Sequence, residues 1–236
     1  MRLKLIFQLE NNKLDIQYRK SIISWIKHAL QSYDENLFQE IYNNNNKKTF
    51  TFAPILSNPK FDKEEITMQD NQFSIVFSAY NYIYGLHLYN SFVKQKFQKF
   101  SLNKNSMKLT SIIMLKEREI NEDKIIIKMS SPIICRNHDK TTLKDMYYAY
   151  DKEEFQKYIR INIEEQLIAE NLNIQLLNNF EITPINAKKI IIPVYEKMIE
   201  CSLGIFELYG NTELLKYLYK AVMGSKKPMW FWLFEI

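Results

Sequence analysis

Two rounds of the element order strand, helix, strand, strand, helix, strand predict an α+β fold of two tandem ferredoxin-like (βαββαβ) domains with antiparallel sheets. In each round, short apolar runs with alternating hydrophobicity are interleaved with segments of helical period. The charged, proline-free segment KEREINEDK at 116–124 separates the rounds. We therefore expect an N-terminal domain over 1–117 and a C-terminal domain over 124–236.

The first round begins with an apolar strand followed by a long helical pattern. Its apolar stripe recurs at helical spacing, with Asp15 positioned to cap the helix and the pattern extending to residue 42. On one face the stripe places Ile22, Ile23, Ile26, Leu30 and Tyr33, and on the other Ser21, Ser24, Trp25, His28, Gln31 and Ser32. The predicted elements are a strand at 3–9, helical segments at 15–34 and 35–42, strands at 48–56 and 72–79, a helix at 80–97 and a strand at 107–115.

The second round repeats this order more loosely. Asn211 and Thr212 are suited to cap its last helix, and Gly224 to end it. The two lysines that follow this glycine fit a solvated turn before the closing strand. The predicted elements are a strand at 124–136, a helix at 152–172, strands at 174–182 and 188–210, a helix at 211–222 and a strand at 228–236.

Composition limits the classes of function. A net charge of +5 suits a polyanionic partner, and 46% hydrophobic residues indicate a globular chain. Cys135 and Cys201 have no metal-ligand spacing, so neither a zinc site nor any other cofactor is predicted. No apolar run approaches the roughly 20 residues of a membrane span. We expect a cytoplasmic protein, with the asparagine-rich NNNNKK at 43–48 in a loop.

Four segments, in order along nearly the whole chain, carry a family resemblance. They are MRLKLIFQLE, KKTFTFAPIL, MSSPIICR and GNTELLKYLYKAVMGSKKPMWFW. Together they resemble the endoribonucleases that process CRISPR repeat RNA, members of the repeat-associated protein superfamily with tandem ferredoxin-like domains. The resemblance implies metal-independent cleavage of a phosphodiester by the adjacent 2′-hydroxyl, which leaves a 2′,3′-cyclic phosphate and a 5′-hydroxyl.

This chemistry needs a base, an acid and a cation near the phosphate. Histidine suits both proton transfers because its ordinary pKa is about 6.5. His28 lies on the first helix, where the family places its active site, and is our first candidate for general acid or base; the alternative is a solvated surface histidine. His87, in an aromatic-rich helix, is expected to be packed and hydrogen-bonded, and His138 to lie in an exposed loop.

The family commonly pairs its histidine with a tyrosine on the first helix and a lysine ahead of the FT[F/Y] segment. Lys48 matches that lysine and would neutralise the scissile phosphate. A gapless alignment puts Lys27 at the position of the tyrosine and Tyr42 near the position of a family histidine. Tyr42 is thus a further catalytic candidate, and Lys47 a weaker one.

The resemblance also implies an RNA-binding loop at the last turn. Only Gly224 of the family's glycines is present, followed by Ser225, Lys226 and Lys227, while Trp230 and Trp232 stand where later glycines would be. Indole rings there would block backbone approach to RNA or offer stacking surfaces. The full set of predicted RNA-binding residues is Arg19, Lys20, Lys128, Ser130, Ser131, Arg136, Gly224, Ser225, Lys226 and Lys227.

Three functions stay open at this point. The first is a CRISPR repeat RNA endoribonuclease, and the second is a relative that holds repeat RNA, or sits in an effector complex with other CRISPR-associated proteins, without cutting. The third is a regulatory or small-ligand protein on the same fold. Homodimerisation is possible in each case, and no membrane partner is expected.

Overall fold

The computed structural model describes residues 1–43, 50–139, 141–142, 144–194, 197–221 and 232–236. The chain divides between residues 116 and 117 into two compact units, with residues 50–53 counted with the second. The predicted catalytic Lys48, its neighbour Lys47 and the predicted loop residues Gly224, Ser225, Lys226 and Lys227 lie outside the described residues.

The main sheet of the first unit has the strand order β3-β6-β1-β8-β7. Its first four strands follow the ferredoxin-like arrangement, and β1 pairs antiparallel with both β6 and β8. A small three-stranded sheet, β2-β5-β4, was not predicted. The elements are β1 (Arg2–Leu9), β2 (Lys13–Asp15), α1 (Tyr18–Tyr33), α2 (Glu35–Asn43), β3 (Phe50–Leu56), β4 (Lys60–Phe61), β5 (Glu65–Thr67), β6 (Gln72–Ala79), α3 (Tyr82–Lys94), β7 (Lys99–Leu102) and β8 (Asn105–Leu115).

The start of α1 differs from the prediction. The helix begins at Tyr18 after Gln17, with no side-chain cap, because Asp15 belongs to β2 and its carboxylate accepts the Gln17 N–H at 2.6 Å. The helical stretch to residue 42 is also interrupted. Asp34 is extended (φ −156°, ψ 109°), and its carboxylate accepts the Leu37 N–H at 3.1 Å, which separates α1 from α2.

Trp25 lies in the core, although the sequence analysis had placed it on the polar side of α1. Its ring stacks on Phe92 of α3 at 5.2 Å and meets the Phe7 ring of β1 edge-on at 4.9 Å. The buried stripe of α1 includes Ile22, Trp25 and Ala29 at helical spacing, whereas Ile23 and Tyr33 of the predicted stripe are only half-buried. His28 and Ser24 stay exposed.

The second unit repeats the arrangement, with strand order β12-β13-β9-β14, and all its pairs are antiparallel. The predicted fold class is therefore confirmed. Two predicted strands are shortened: residues 174–177 form a 3₁₀ turn, and residues 130–135 separate β9 from β10. The elements are β9 (Lys124–Met129), β10 (Arg136–His138), β11 (Asp145–Tyr147), α4 (Glu154–Ala169), β12 (Glu181–Val194), β13 (Lys197–Tyr209), α5 (Thr212–Ala221) and β14 (Phe234–Glu235).

A β-bulge bends the long β12–β13 ribbon. The pairing shifts between Pro184 and Asn186, next to the pair of Ala187 with Gly204, which has φ +144°. A Cβ at position 204 would lie 2.2 Å from the Asn186 carbonyl oxygen, so the close approach of the two strands requires glycine.

Trp232 is fully buried, so its ring is not exposed for stacking on RNA. Its indole N–H donates to the Ile134 carbonyl at 2.9 Å, and its backbone N–H donates to the Pro132 carbonyl at 3.0 Å. With φ +69° the residue is not extended, and among the described residues the closing strand is only Phe234–Glu235. Trp232 thus anchors the C-terminal segment to the core.

Candidate nucleic-acid interface

His28 presents an exposed imidazole on α1. Its ring lies 5.7 Å from the Phe100 ring of β7, and its backbone carbonyl accepts the Ser32 hydroxyl at 2.7 Å. The Lys94 ammonium donates to the Ser32 carbonyl at 2.8 Å, which puts a cation at the C-terminal turn of the same helix. Sequence reasoning had not singled out Lys94.

The neighbouring Lys27 points to α2. Its ammonium lies 5.1 Å from the centre of the Tyr42 ring, and Tyr42 stacks on Phe38 at 5.0 Å. Burial raises the pKa of the Tyr42 phenol well above its ordinary range. Near neutral pH the phenol therefore stays protonated and can donate a hydrogen bond, but it is not a base.

These groups form two separate contacts on one helix. Successive helical residues differ by about 100° around the axis. Lys27 accordingly contacts α2 while His28 contacts β7, and among the described residues no contact joins His28 to Tyr42. The structure therefore brings together Lys27 and Tyr42, the two positions aligned with the family's tyrosine and histidine. It does not bring together the predicted pair His28 and Tyr42.

Two predicted RNA-binding residues lie near the start of α1. The Arg19 guanidinium lies 4.9 Å from the Tyr18 ring centre. Lys20 is exposed, and its ammonium donates to the Gln17 side chain at 2.7 Å. Of the two, Lys20 is the more accessible cation.

Three further predicted residues lie on or after β9. Lys128 is exposed, opposite Ile205 of β13 and Glu235 of β14. Ser130 donates its backbone N–H to the Leu233 carbonyl at 2.8 Å. Ser131 is buried, and its hydroxyl accepts the Leu233 N–H at 2.7 Å, so this side chain fixes the C-terminal segment.

Arg136, also predicted, belongs to a polar cluster on the β10–β11 hairpin. The Asp145 carboxylate accepts from the His138 Nδ1 at 2.9 Å, the Arg136 guanidinium at 3.5 Å and the Tyr147 hydroxyl at 3.1 Å. Burial and the nearby Asp145 charge raise the pKa of Tyr147 to about 12. His138, expected in a loop, is thus in a strand and paired. The segment RNH at 136–138 contains no apolar residue, so the sequence carried no strand signal there.

The third histidine, His87, is half-buried in α3 as expected for a packed side chain. Its ring lies 6.1 Å from the Tyr33 ring, and its Nδ1 has no hydrogen-bond partner within the described ranges. No group of three or more His, Cys, Asp and Glu side chains in the described part of the chain could hold a metal ion. Nor does that part contain a helix long and apolar enough to cross a membrane.

Comparisons with known proteins agree on one family. The family model for the CRISPR associated protein Cas6, C-terminal, matches residues 115–236. No curated protein matches the sequence.

Solved structures share the fold over the whole chain. A Cas6-related protein from Pyrococcus furiosus has a TM-score of 0.85 at 19% identity, covering 100% of this chain and 98% of its own. A repeat-associated (RAMP) protein binding different RNA substrates has a TM-score of 0.83 at 19% identity, with the same coverage. A Cas6 product complex has a TM-score of 0.74 at 11% identity, covering 99% of both chains.

The family model spans about half the sequence, and the solved structures share the fold over the whole chain. The chain therefore belongs to the Cas6 family of CRISPR-associated proteins, which process CRISPR repeat RNA.

Proposed function

We propose that the protein is a metal-independent endoribonuclease that cuts CRISPR precursor RNA within its repeats. The 2′-oxygen bonds to phosphorus as the bond from phosphorus to the 5′-oxygen breaks, giving a 2′,3′-cyclic phosphate and a 5′-hydroxyl. A base accepts the 2′-hydroxyl proton, and an acid gives a proton to the departing 5′-oxygen.

The exposed imidazole of His28 carries this proposal. It lies on α1, whose Lys27 ammonium contacts α2 and whose Ser32 carbonyl accepts from the Lys94 ammonium of α3. An imidazole can transfer protons near neutral pH, and cations stabilise the charge that grows on the phosphate oxygens. We propose His28 as the proton-transferring group and Lys48 as the cation on the scissile phosphate.

Tyr42 has a smaller part in this proposal. Since its phenol stays protonated near neutral pH, it can donate a hydrogen bond to a phosphate oxygen but cannot accept the 2′-hydroxyl proton. Arg19, Lys20, Lys128 and Arg136, with Gly224 to Lys227, are proposed to contact the RNA backbone.

A second function is favoured by the Lys27–Tyr42 contact. A lysine and a protonated tyrosine are poor proton acceptors near neutral pH, and they occupy the two positions aligned with the family's tyrosine and histidine. The second candidate is therefore a protein that binds repeat RNA, alone or with other CRISPR-associated proteins, without cutting it. A dimer is compatible with either function.

Incubation with end-labelled CRISPR repeat RNA in EDTA distinguishes the functions. Cleavage to a cyclic-phosphate product supports the endoribonuclease, whereas a mobility shift without cleavage supports the binding protein. Absence of both leaves the regulatory or small-ligand function. A 2′-deoxy substitution at the cut site is the matched control, and cutting that continues on this RNA contradicts the mechanism.

A further inference from the structure

The β10–β11 hairpin carries its chemically active side chains on one face. In its register Arg136 is opposite Tyr147 and His138 is opposite Asp145, while Asn137 and Met146 form the pair between them. Because side chains alternate along a strand, the first two pairs share a face. The Asp145 carboxylate contacts all three of its neighbours there.

The side chains of this cluster differ in the fraction that is exposed to solvent. The Asp145 side chain is 14% exposed, the Arg136 side chain 26% and the His138 side chain 39%. The carboxylate is thus mostly covered, and the imidazole and guanidinium are the groups open to solvent.

Both side chains keep nitrogen atoms that are available to a ligand. Asp145 contacts the Nδ1 of His138. The other ring nitrogen, Nε2, forms no hydrogen bond with a described residue. The Arg136 guanidinium has five N–H donors, and among described residues its side chain bonds only to Asp145. The hairpin's other acid, Asp139, accepts the Thr141 and Thr142 N–H groups and the Thr142 hydroxyl.

The hairpin is held rigidly by α4. Asn162, which is buried, accepts the Arg136 N–H at 3.1 Å and donates to the Arg136 carbonyl at 2.7 Å. On the opposite face Asn137 donates to the Tyr158 hydroxyl at 2.9 Å. A ligand at this face therefore meets donors whose backbone is already fixed, which lowers the entropy lost on binding.

We propose that this face binds a phosphodiester of the RNA backbone through Arg136 and His138, with Asp145 as the positioning residue. The inference rests on the proposed binding of repeat RNA. A guanidinium offers paired donors that match phosphate oxygens, and an imidazole held through Nδ1 adds a third donor at Nε2 when both ring nitrogens carry protons. Asp145 holds both groups in place.

The test is fluorescence anisotropy with labelled repeat RNA that is 2′-deoxy at the cut site, so that cleavage does not interfere. We expect His138→Ala and Arg136→Ala each to weaken binding by about threefold to tenfold. Arg136→Ala should also lower the salt dependence of log K by about 0.7, the value for one phosphate contact on a single strand. Lys216→Gln, which removes one positive charge from α5, is the matched control and should bind within about twofold of the parent.

Asp145→Asn separates positioning from net charge. Removal of a negative charge should strengthen RNA binding if only net charge matters. We expect weaker binding, since the imidazole and guanidinium lose their common acceptor. Stronger binding contradicts the positioning role, and retained thermal unfolding temperatures confirm that the variants fold.

DNA and inorganic phosphate are two further ligands that test the assignment to an RNA phosphodiester. DNA of the same sequence should lose affinity by the same factor in His138→Ala, because a phosphate contact does not read the 2′-hydroxyl; a loss with RNA alone contradicts the phosphate assignment. In NMR titrations, RNA should shift the His138 ring signals. If a low concentration of inorganic phosphate saturates the same shifts, the site is one for free phosphate. Variants that equal the parent overturn this inference alone, while a parent that binds no RNA overturns the proposed function.

Discussion

The Lys27 ammonium lies 5.1 Å from the centre of the Tyr42 ring and joins α1 to α2. In the family resemblance these positions align with a tyrosine and a histidine, yet here they hold a cation against a protonated phenol. The exposed imidazole of α1, one residue further at His28, contacts Phe100 instead. Proton transfer and charge stabilisation are therefore expected at different points of the helix.

His28→Ala is expected to lower the rate of repeat RNA cleavage by about 100-fold or more, the usual effect of losing a general acid or base. RNA affinity should stay within about twofold, since the other proposed contacts to the RNA backbone remain. Single-turnover cleavage and anisotropy measure the two quantities. Gln31→Ala, an exposed change on the same helix, is the control; an unchanged rate in His28→Ala assigns the chemistry to another residue.

Tyr42→Phe is expected to make stability less sensitive to alkaline pH. Burial raises the folded-state pKa of Tyr42 above the unfolded value of about 10. The stabilisation is thus complete below about pH 10 and is lost as pH rises toward the folded-state pKa, because the unfolded chain ionises first. Urea unfolding from neutral to alkaline pH should show a steeper loss in the parent than in Tyr42→Phe. Parallel curves contradict the burial of this phenol.

Gly204→Ala is expected to destabilise the β12–β13 ribbon by about 2–4 kcal/mol. The added Cβ would meet the Asn186 carbonyl oxygen at 2.2 Å in a backbone conformation of φ +144°. Chemical denaturation measures the change. Ile185→Ala, at an exposed position of the same bulge, should change stability by less than about 0.5 kcal/mol. Equal stability of Gly204→Ala and the parent contradicts the bulge geometry.

Trp232→Phe is expected to lower the free energy of unfolding by about 1–3 kcal/mol, because it leaves the buried Ile134 carbonyl without the indole donor. RNA affinity should not change if the ring is structural. Acrylamide should quench Trp232 fluorescence only weakly, measured in a variant with Trp25 and Trp230 replaced by Phe. Strong quenching, or an affinity loss without a stability loss, restores the stacking interpretation.

The order of the main strands and helices and the ferredoxin-like fold follow from the sequence alone. Strand and helix periods differ, so apolar spacing along LKLIFQL or KEEFQKYIRINI identifies each element from neighbouring residues. The exposed side of α1, with His28, was predicted in the same way. The resemblance of four sequence segments indicated the family, and the comparisons confirm it.

Tertiary structure decided how side chains pair. Trp25 packs against Phe7 and Phe92, and the sequence of one helix does not say which rings of other elements it meets. His138 meets Asp145 only because a hairpin register places them opposite each other. Local spacing thus specifies the elements, but contacts between residues distant in sequence depend on strand register and helix packing, and these are fixed only when the core forms.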